Sequence, residues 1–403
     1  MTKHLSRLLW MGLLVCIGGC SNTKETVPDR AADHVDAPKS EEAVQEVRKL
    51  PAPPGLPGPF LVRLENRFPT QFFGTAATES HIAIAYQSDA RDVSLCPESE
   101  LQICFHGIAA FAERTNPNHP VTVKLYESDT QSGARIDAVA AAGNRFVFAL
   151  NEGIYVGDTH KTSLVITDHN GHIERAIDFG QPQAHVVQTA LSSYQKQQLI
   201  VCRSVEPDDG RQQLFPRIVC EFLDVQNSKR SAAATIQVDQ PVRSLEVASN
   251  GSKSLLAWNE GGKLRVAFLD KPDDAVELGA STALRPLVAV GLDEFAVAWQ
   301  ADDGLMHIDR IPFEGEERRS LVLNGVDNRT LGGLVAVSNG YLSTFTHQNT
   351  QQVMLVSPDF ESWDLVENSS SPRLFSDYAS LDITEAHTGK MIWQTAESLV
   401  VPK

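Results

Sequence analysis

The chain has 403 residues, 35 Lys and Arg against 51 Asp and Glu, and a formal net charge of −16. That balance excludes the basic surface which nucleic acid or an anionic bilayer requires. The length admits several small domains or one large repetitive one.

Lys3, His4 and Arg7 form a short positive segment. Leu8 to Ile17, "LLWMGLLVCI", is an apolar run too short to cross a bilayer, which needs roughly 20 residues. A positive start, a short apolar stretch and small residues at Gly18 and Gly19 describe a cleavable export signal. The stretch "IGGC" resembles the lipobox of bacterial lipoproteins, in which an aliphatic residue and two small ones precede a cysteine. The resemblance implies that residues 1–19 are removed. Cys20 then becomes the lipid-bearing N-terminus, and Ser21 after it favours the outer membrane over the inner. Cys16 is lost with the signal.

Residues 21–58 are polar and end in the proline-rich "LPAPPGLPG". With little to bury, this stretch reads as a disordered or extended tether between the lipid-bearing Cys20 and residue 59.

From residue 59 to 403, short β-like runs alternate with Gly, Asn, Asp and Pro. One pattern recurs: an apolar strand, then a large residue, then a polar one. Its instances are "IAIAYQ", "FVFALN", "LIVCRS", "LLAWNE", "FAVAWQ", "LSTFTH" and "KMIWQT". The large positions are Tyr86, Leu150, Cys202, Trp258, Trp299, Phe345 and Trp393. They fall at intervals of roughly 40 to 65 residues, the span of a four-stranded antiparallel unit. Such units stack face to face as the blades of a β-propeller. The fold class expected is therefore all-β, a propeller of seven four-stranded blades, with six to eight open. The large residues would fill the space between blades. The strand at Pro59–Phe68 would complete a last blade with "YASLDIT", "KMIWQT" and "SLVVPK", joining the two chain ends and leaving no free sheet edge.

Four cysteines remain: Cys96, Cys104, Cys202 and Cys220. An even number in an exported chain suggests disulfides. Of three connectivities, local pairing, Cys96–Cys104 and Cys202–Cys220, is preferred. Without CxxC or HxxxH spacing no metal site is expected, and no cofactor.

Function is sought where the repeat breaks. The second-to-third-strand connections of the last four repeats are short. Those of the first three are long: "QSDARDVSLCPESELQICFHG", "NEGIYVGDTHKTS" and "VEPDDGRQQLFPR". In a propeller they leave the same face, and binding residues gather on loops held by rigid scaffolds. The candidates for a binding rim are Asp92, Glu98, Glu100, His106, Tyr155, Asp158, His160, Asp208, Asp209, Arg211 and Phe215. Asp168, His169, Asn170 and His172 in "TDHNGHIE" could ligate a cation, but Asn170-Gly171 favours a hairpin turn. His81, His307, His347 and His387 read as isolated histidines.

The expectation is a lipid-anchored interaction module of the bacterial cell envelope, binding a protein or a glycan and not nucleic acid. The alternative is a cell-envelope polysaccharide hydrolase with Asp92, Asp158 and Asp208 converging on the channel, two carboxyls standing about 5–9 Å apart. A sugar or ion sensor in the channel is a third reading. No catalytic residue is assigned.

Overall fold

A computed structural model describes residues 59–63, 69–78, 80–90, 104–113, 116–127, 134–152, 161–179, 184–207, 216–282, 285–314, 317–323, 330–337, 340–347, 350–365, 393–394 and 398–402. The signal, Cys20, the tether and the strand expected at "YASLDIT" lie outside them. The described elements are all strands. After β1 (Pro59–Arg63), the first sheet comprises β2 (Pro69–Ala77), β3 (His81–Ala90), β4 (Cys104–Glu113) and β5 (Asn116–Glu127). The second holds β6 (Ala134–Ala142), β7 (Arg145–Glu152), β8 (Lys161–Thr167) and β9 (Ile173–Asp178). The third holds β10 (Ala184–Gln195), β11 (Gln198–Pro207), β12 (Arg217–Asp224) and β13 (Lys229–Gln237). The fourth holds β14 (Val242–Ser249), β15 (Ser254–Glu260), β16 (Lys263–Phe268) and β17 (Val276–Ala280). The fifth holds β18 (Leu287–Val290), β19 (Glu294–Gln300), β20 (Met306–Pro312) and β21 (Arg319–Leu323). The sixth holds β22 (Thr330–Val337), β23 (Gly340–His347), β24 (Thr350–Val356) and β25 (Trp363–Leu365). Last come β26 (Trp393–Gln394) and β27 (Ser398–Pro402).

Each of the six sheets is a four-stranded antiparallel meander in chain order. The first strands, β2, β6, β10, β14, β18 and β22, lie each against the next, so they form the inner layer around which the sheets are arrayed. A further sheet has the order β1-β27-β26. β1 pairs antiparallel with β27 from Pro59↔Pro402 to Arg63↔Ser398, so both chain ends share one sheet.

In each of the six four-stranded sheets, the described side chains of the second strand are buried on both faces. That explains why the second strands are almost continuously apolar, since a strand covered on both sides has no polar face to alternate with. All residues of β15 and β19 are buried. One cluster joins Phe146, Phe148 and Leu150 of the second sheet to Ala83, Ala85 and Phe111 of the first. The opposite face of the second sheet, with Val147 and Ala149, packs on Leu199 and Val201 of the third. Trp258 faces the third sheet, and Trp299 faces the fourth. The large residues Leu150, Trp258 and Trp299 thus point back toward the preceding sheet. Tyr86, in the cluster on the first sheet's other face, follows the same sense. The side chains of Phe345 and Trp393 lie outside the described residues.

The third sheet departs from the expected register by one residue. Leu199 and Val201 face the second sheet, whereas Ile200 and Cys202 face the fourth. The residue that points back is Arg203, 2% exposed, with its guanidinium 4.9 Å from the Phe179 ring. It donates to the Phe179 carbonyl at 2.8 Å and to Glu221 Oε2 at 2.5 Å. Burial pulls the guanidinium below its ordinary value, and Glu221 opposes that. An ion-paired arginine therefore occupies the place of an aromatic, and Cys202 does not stand at the large-residue position. Cys202 lies opposite Cys220 in the β11–β12 ladder, and the two form a disulfide with Cα atoms 4.1 Å apart.

Candidate functional site

Second-to-third-strand connections fall into two groups. Residues 91–103, 153–160 and 208–216 separate β3 from β4, β7 from β8, and β11 from β12. The fourth sheet turns within Gly261-Gly262, both at positive φ (59° and 80°), as a two-residue hairpin requires. The fifth and sixth turn within 301–305 and 348–349. The insertions are shorter than the sequence suggests, because antiparallel pairing continues into their flanks. His106 is therefore not a loop residue: it sits in β4 opposite Ser88. Asp92, Glu98, Glu100, Tyr155, Asp158, His160, Asp208, Asp209, Arg211, Phe215 and Cys96 lie outside the described residues. Cys104 opens β4 opposite Ala90.

On the same face begin the inner strands, and five of them carry a bulge near that end. The extra residues are Thr70 and Phe73 in β2, Asp137, Val187, Arg243 and Gly332. A bulge re-aims one side chain and leaves the rest of the strand in register. These bulges place an unpaired residue of each of these five sheets around the opening of the inner layer.

Asp137 is 6% exposed in its side chain, and three groups hold it. Its Oδ1 accepts Arg135 Nε at 2.5 Å, and its Oδ2 accepts Asn151 Nδ2 at 2.5 Å and the Thr189 amide at 2.8 Å. Thr162 Oγ1 in turn donates to Asn151 Oδ1 at 2.5 Å. Burial pushes the Asp137 carboxyl above the ordinary aspartate value, against the pull of Arg135, the Thr189 amide and Arg285. From the approach to β18, Arg285 donates through Nε to Glu246 Oε2 at 2.5 Å and through Nη1 to the Asp137 carbonyl at 3.2 Å. Burial likewise raises Glu246, and Arg285 opposes it. Because Arg285 precedes the fifth sheet and Asp137 belongs to the second, this side chain crosses the opening between non-adjacent sheets.

In the second, third and fourth sheets the polar residue of the repeat ties the second strand to this region. Asn151 binds Asp137, and Asn259 Nδ2 donates to the Thr282 carbonyl at 2.8 Å. Ser204 Oγ accepts the Gln188 amide at 3.0 Å beside the β10 bulge, which fits the corrected register. Asp137 and Glu246 went unassigned in the sequence because a lone acid in a strand reads as a solvated one. The usable signal was an acid inside "ARIDAVAAA", an otherwise two-face apolar run.

On the opposite face, "TDHNGHIE" forms the β8–β9 turn. Asp168 Oδ1 accepts the amides of Asn170 and His172 at 2.9 and 2.8 Å. Gly171 has φ 87° and lies so close to Phe111 that a Cβ there would stand 2.7 Å from its ring. His81 is not isolated: its ring lies 4.6 Å from that of His169. His307 is likewise stacked on Trp299 at 4.6 Å. Among the described residues, no group of three or more His, Cys, Asp or Glu is placed to hold a metal ion.

No family model matches the chain, and no curated protein matches it in sequence. Solved structures do match in shape. The WD40 repeats of RRP9 superpose with a TM-score of 0.53 at 10% identity, covering 86% of this chain and 98% of that one. A chain of the Mitotic Checkpoint Complex gives a TM-score of 0.51 at 12% identity, covering 93% and 98%. The fold is a β-propeller. At such identity the likeness shows the fold alone, and the opening described above is the mouth of the propeller's central channel.

Proposed function

We propose that this chain is a lipid-anchored interaction module of the bacterial cell envelope. Cys20 carries the lipid, residues 21–58 are the tether, and the propeller binds a protein partner. Closure of β1 with β27 and β26 as a seventh blade belongs to the same proposal. The observation that carries the reading is the asymmetry of one face. Three consecutive blades bear insertions of 91–103, 153–160 and 208–216, and the next three blades turn tightly. A repetitive scaffold has no structural need for this, since the short turns close equivalent blades. Loops on a rigid ring are a common site of recognition.

The hydrolase alternative draws nothing from the two carboxylates at the mouth, Asp137 and Glu246. Asp137 has three donors on its two oxygens, and Glu246 is clamped by Arg285. A general acid or base must instead reach a substrate proton.

The test replaces each insertion with an Asn-Gly turn in the tethered protein. The reading expects partner co-purification to fall while the thermal transition is kept. Full retention of the partner with all three loops shortened contradicts it.

A further inference from the structure

Arginines around the channel mouth differ in how they are used. Arg135 and Arg285 are 30% and 37% exposed, and they contact Asp137 and Glu246. Elsewhere Arg145, Arg203, Arg265, Arg310, Arg318 and Arg319 pair with carboxylates. Arg175 donates to backbone carbonyls, and Arg230 lies over Phe179. Arg243 is exposed, and its guanidinium has no ion pair or hydrogen bond with a described residue. Arg217, half-buried at the start of β12, has no such partner either, but it stands on a third strand, outside the inner layer that forms the mouth.

Arg243 is also the bulged residue of β14. Its neighbours Val242 and Ser244 are each 2% exposed, and its carbonyl accepts Gln188 Nε2 at 2.8 Å. The backbone is fixed and the side chain is not committed. Asp137, Glu246 and Glu260 are paired with Arg135, Arg285 and Arg265, so the charge of Arg243 is left without a described carboxylate, in a chain whose net charge is −16.

We propose that Arg243, at the same end of the inner layer as Arg135 and Arg285, receives an acidic side chain of the protein partner at the channel mouth. A guanidinium offers two parallel donors that match a carboxylate. A single acidic side chain meets the one uncompensated guanidinium, whereas an extended polyanion would be opposed by a chain whose net charge is −16. The inference rests on the insertion-bearing face being the recognition surface, and it adds the chemistry of the contact.

The test places a photo-crosslinking residue at Gln240, exposed three positions before Arg243, in the tethered protein in its native membrane. Adduct yield is compared in the parent, Arg243→Gln, Arg243→Lys and Arg145→Gln. Arg145 opens β7 at the opposite face, so its variant loses the same charge away from the mouth. The proposal expects about a tenfold loss in Arg243→Gln, partial retention in Arg243→Lys and no loss in Arg145→Gln. The crosslinked species should be a protease-sensitive peptide containing Asp or Glu. Equal yields in Arg243→Gln and parent overturn the proposal, while adducts from probes in the insertions leave the broader reading standing. A protease-resistant, glycan-like adduct also overturns it. Loss of adducts from all probes, insertions included, removes the broader reading and this inference with it.

Discussion

Arg285 Nη1 lies 3.2 Å from the Asp137 carbonyl, although 148 positions separate the two in sequence. The same guanidinium grips Glu246, so one side chain ties the second, fourth and fifth blades across the channel mouth. Arg285→Ala should leave a Glu246 side chain only 16% exposed without its cation. Arg285 is itself 37% exposed, so water screens the pair. The loss should be about 1–2 kcal/mol rather than the larger cost of a fully buried pair. Urea midpoints of Arg285→Ala, Glu246→Gln and the double variant check this. The double variant should be more stable than the sum of the single losses predicts.

The Cys202–Cys220 disulfide closes a loop with a sequence separation of 18. In the chain-entropy account a loop of that size contributes about 3 kcal/mol. The C202A/C220A variant should fold, with a lower thermal midpoint. Calorimetry of the oxidised parent and the variant measures the difference.

His81 gives a pH dependence with a definite sign. Its ring is buried, accompanied by His169, with Glu113 and Asp168 as the nearby acids. Burial first, and His169 second, hold its pKa below the ordinary 6.5. The folded state therefore binds fewer protons than the unfolded one. This contribution to stability is present above pH 6.5 and is lost as pH falls below it, through the lowered folded value. Unfolding free energy measured from pH 7.5 down to 5 should fall less steeply in His81→Gln than in the parent.

Much of this architecture was legible because hairpin chemistry and the large-then-polar repeat are local. Gly261-Gly262, Asn170-Gly171 and the "AWNE" and "AWQ" strands all fold as read. The register of "LIVCRS" was not legible. A strand buried on both faces carries no alternation to fix its phase, so Cys202 and Arg203 could each fill the repeat position. A buried cation there needs Phe179 and Glu221, which come from other strands. The channel-mouth network was hidden for a similar reason. Asp137 becomes a buried acid only because a bulge turns it, and its partners Thr189 and Arg285 arrive from other blades. The rim candidates, His106 apart, lie in residues the structure does not describe.

The anchor proposed at Cys20 has its own test. Cys20→Ala should move the protein from the membrane fraction to the soluble fraction and abolish incorporation of radiolabelled fatty acid. Retention of both membrane association and label would contradict the anchor and leave the propeller untouched.

The central claim is that the face bearing the insertions is the recognition surface. The direct measurement is site-specific photo-crosslinking in the native membrane with probes at Tyr155 and Phe215. Controls stand at Asp303, in the fifth blade's tight turn, and at Gln351, beside the sixth's. A discrete protein adduct from Tyr155 and Phe215 alone is the predicted result. Equal adducts from all four positions, or adducts from the controls alone, would contradict the account.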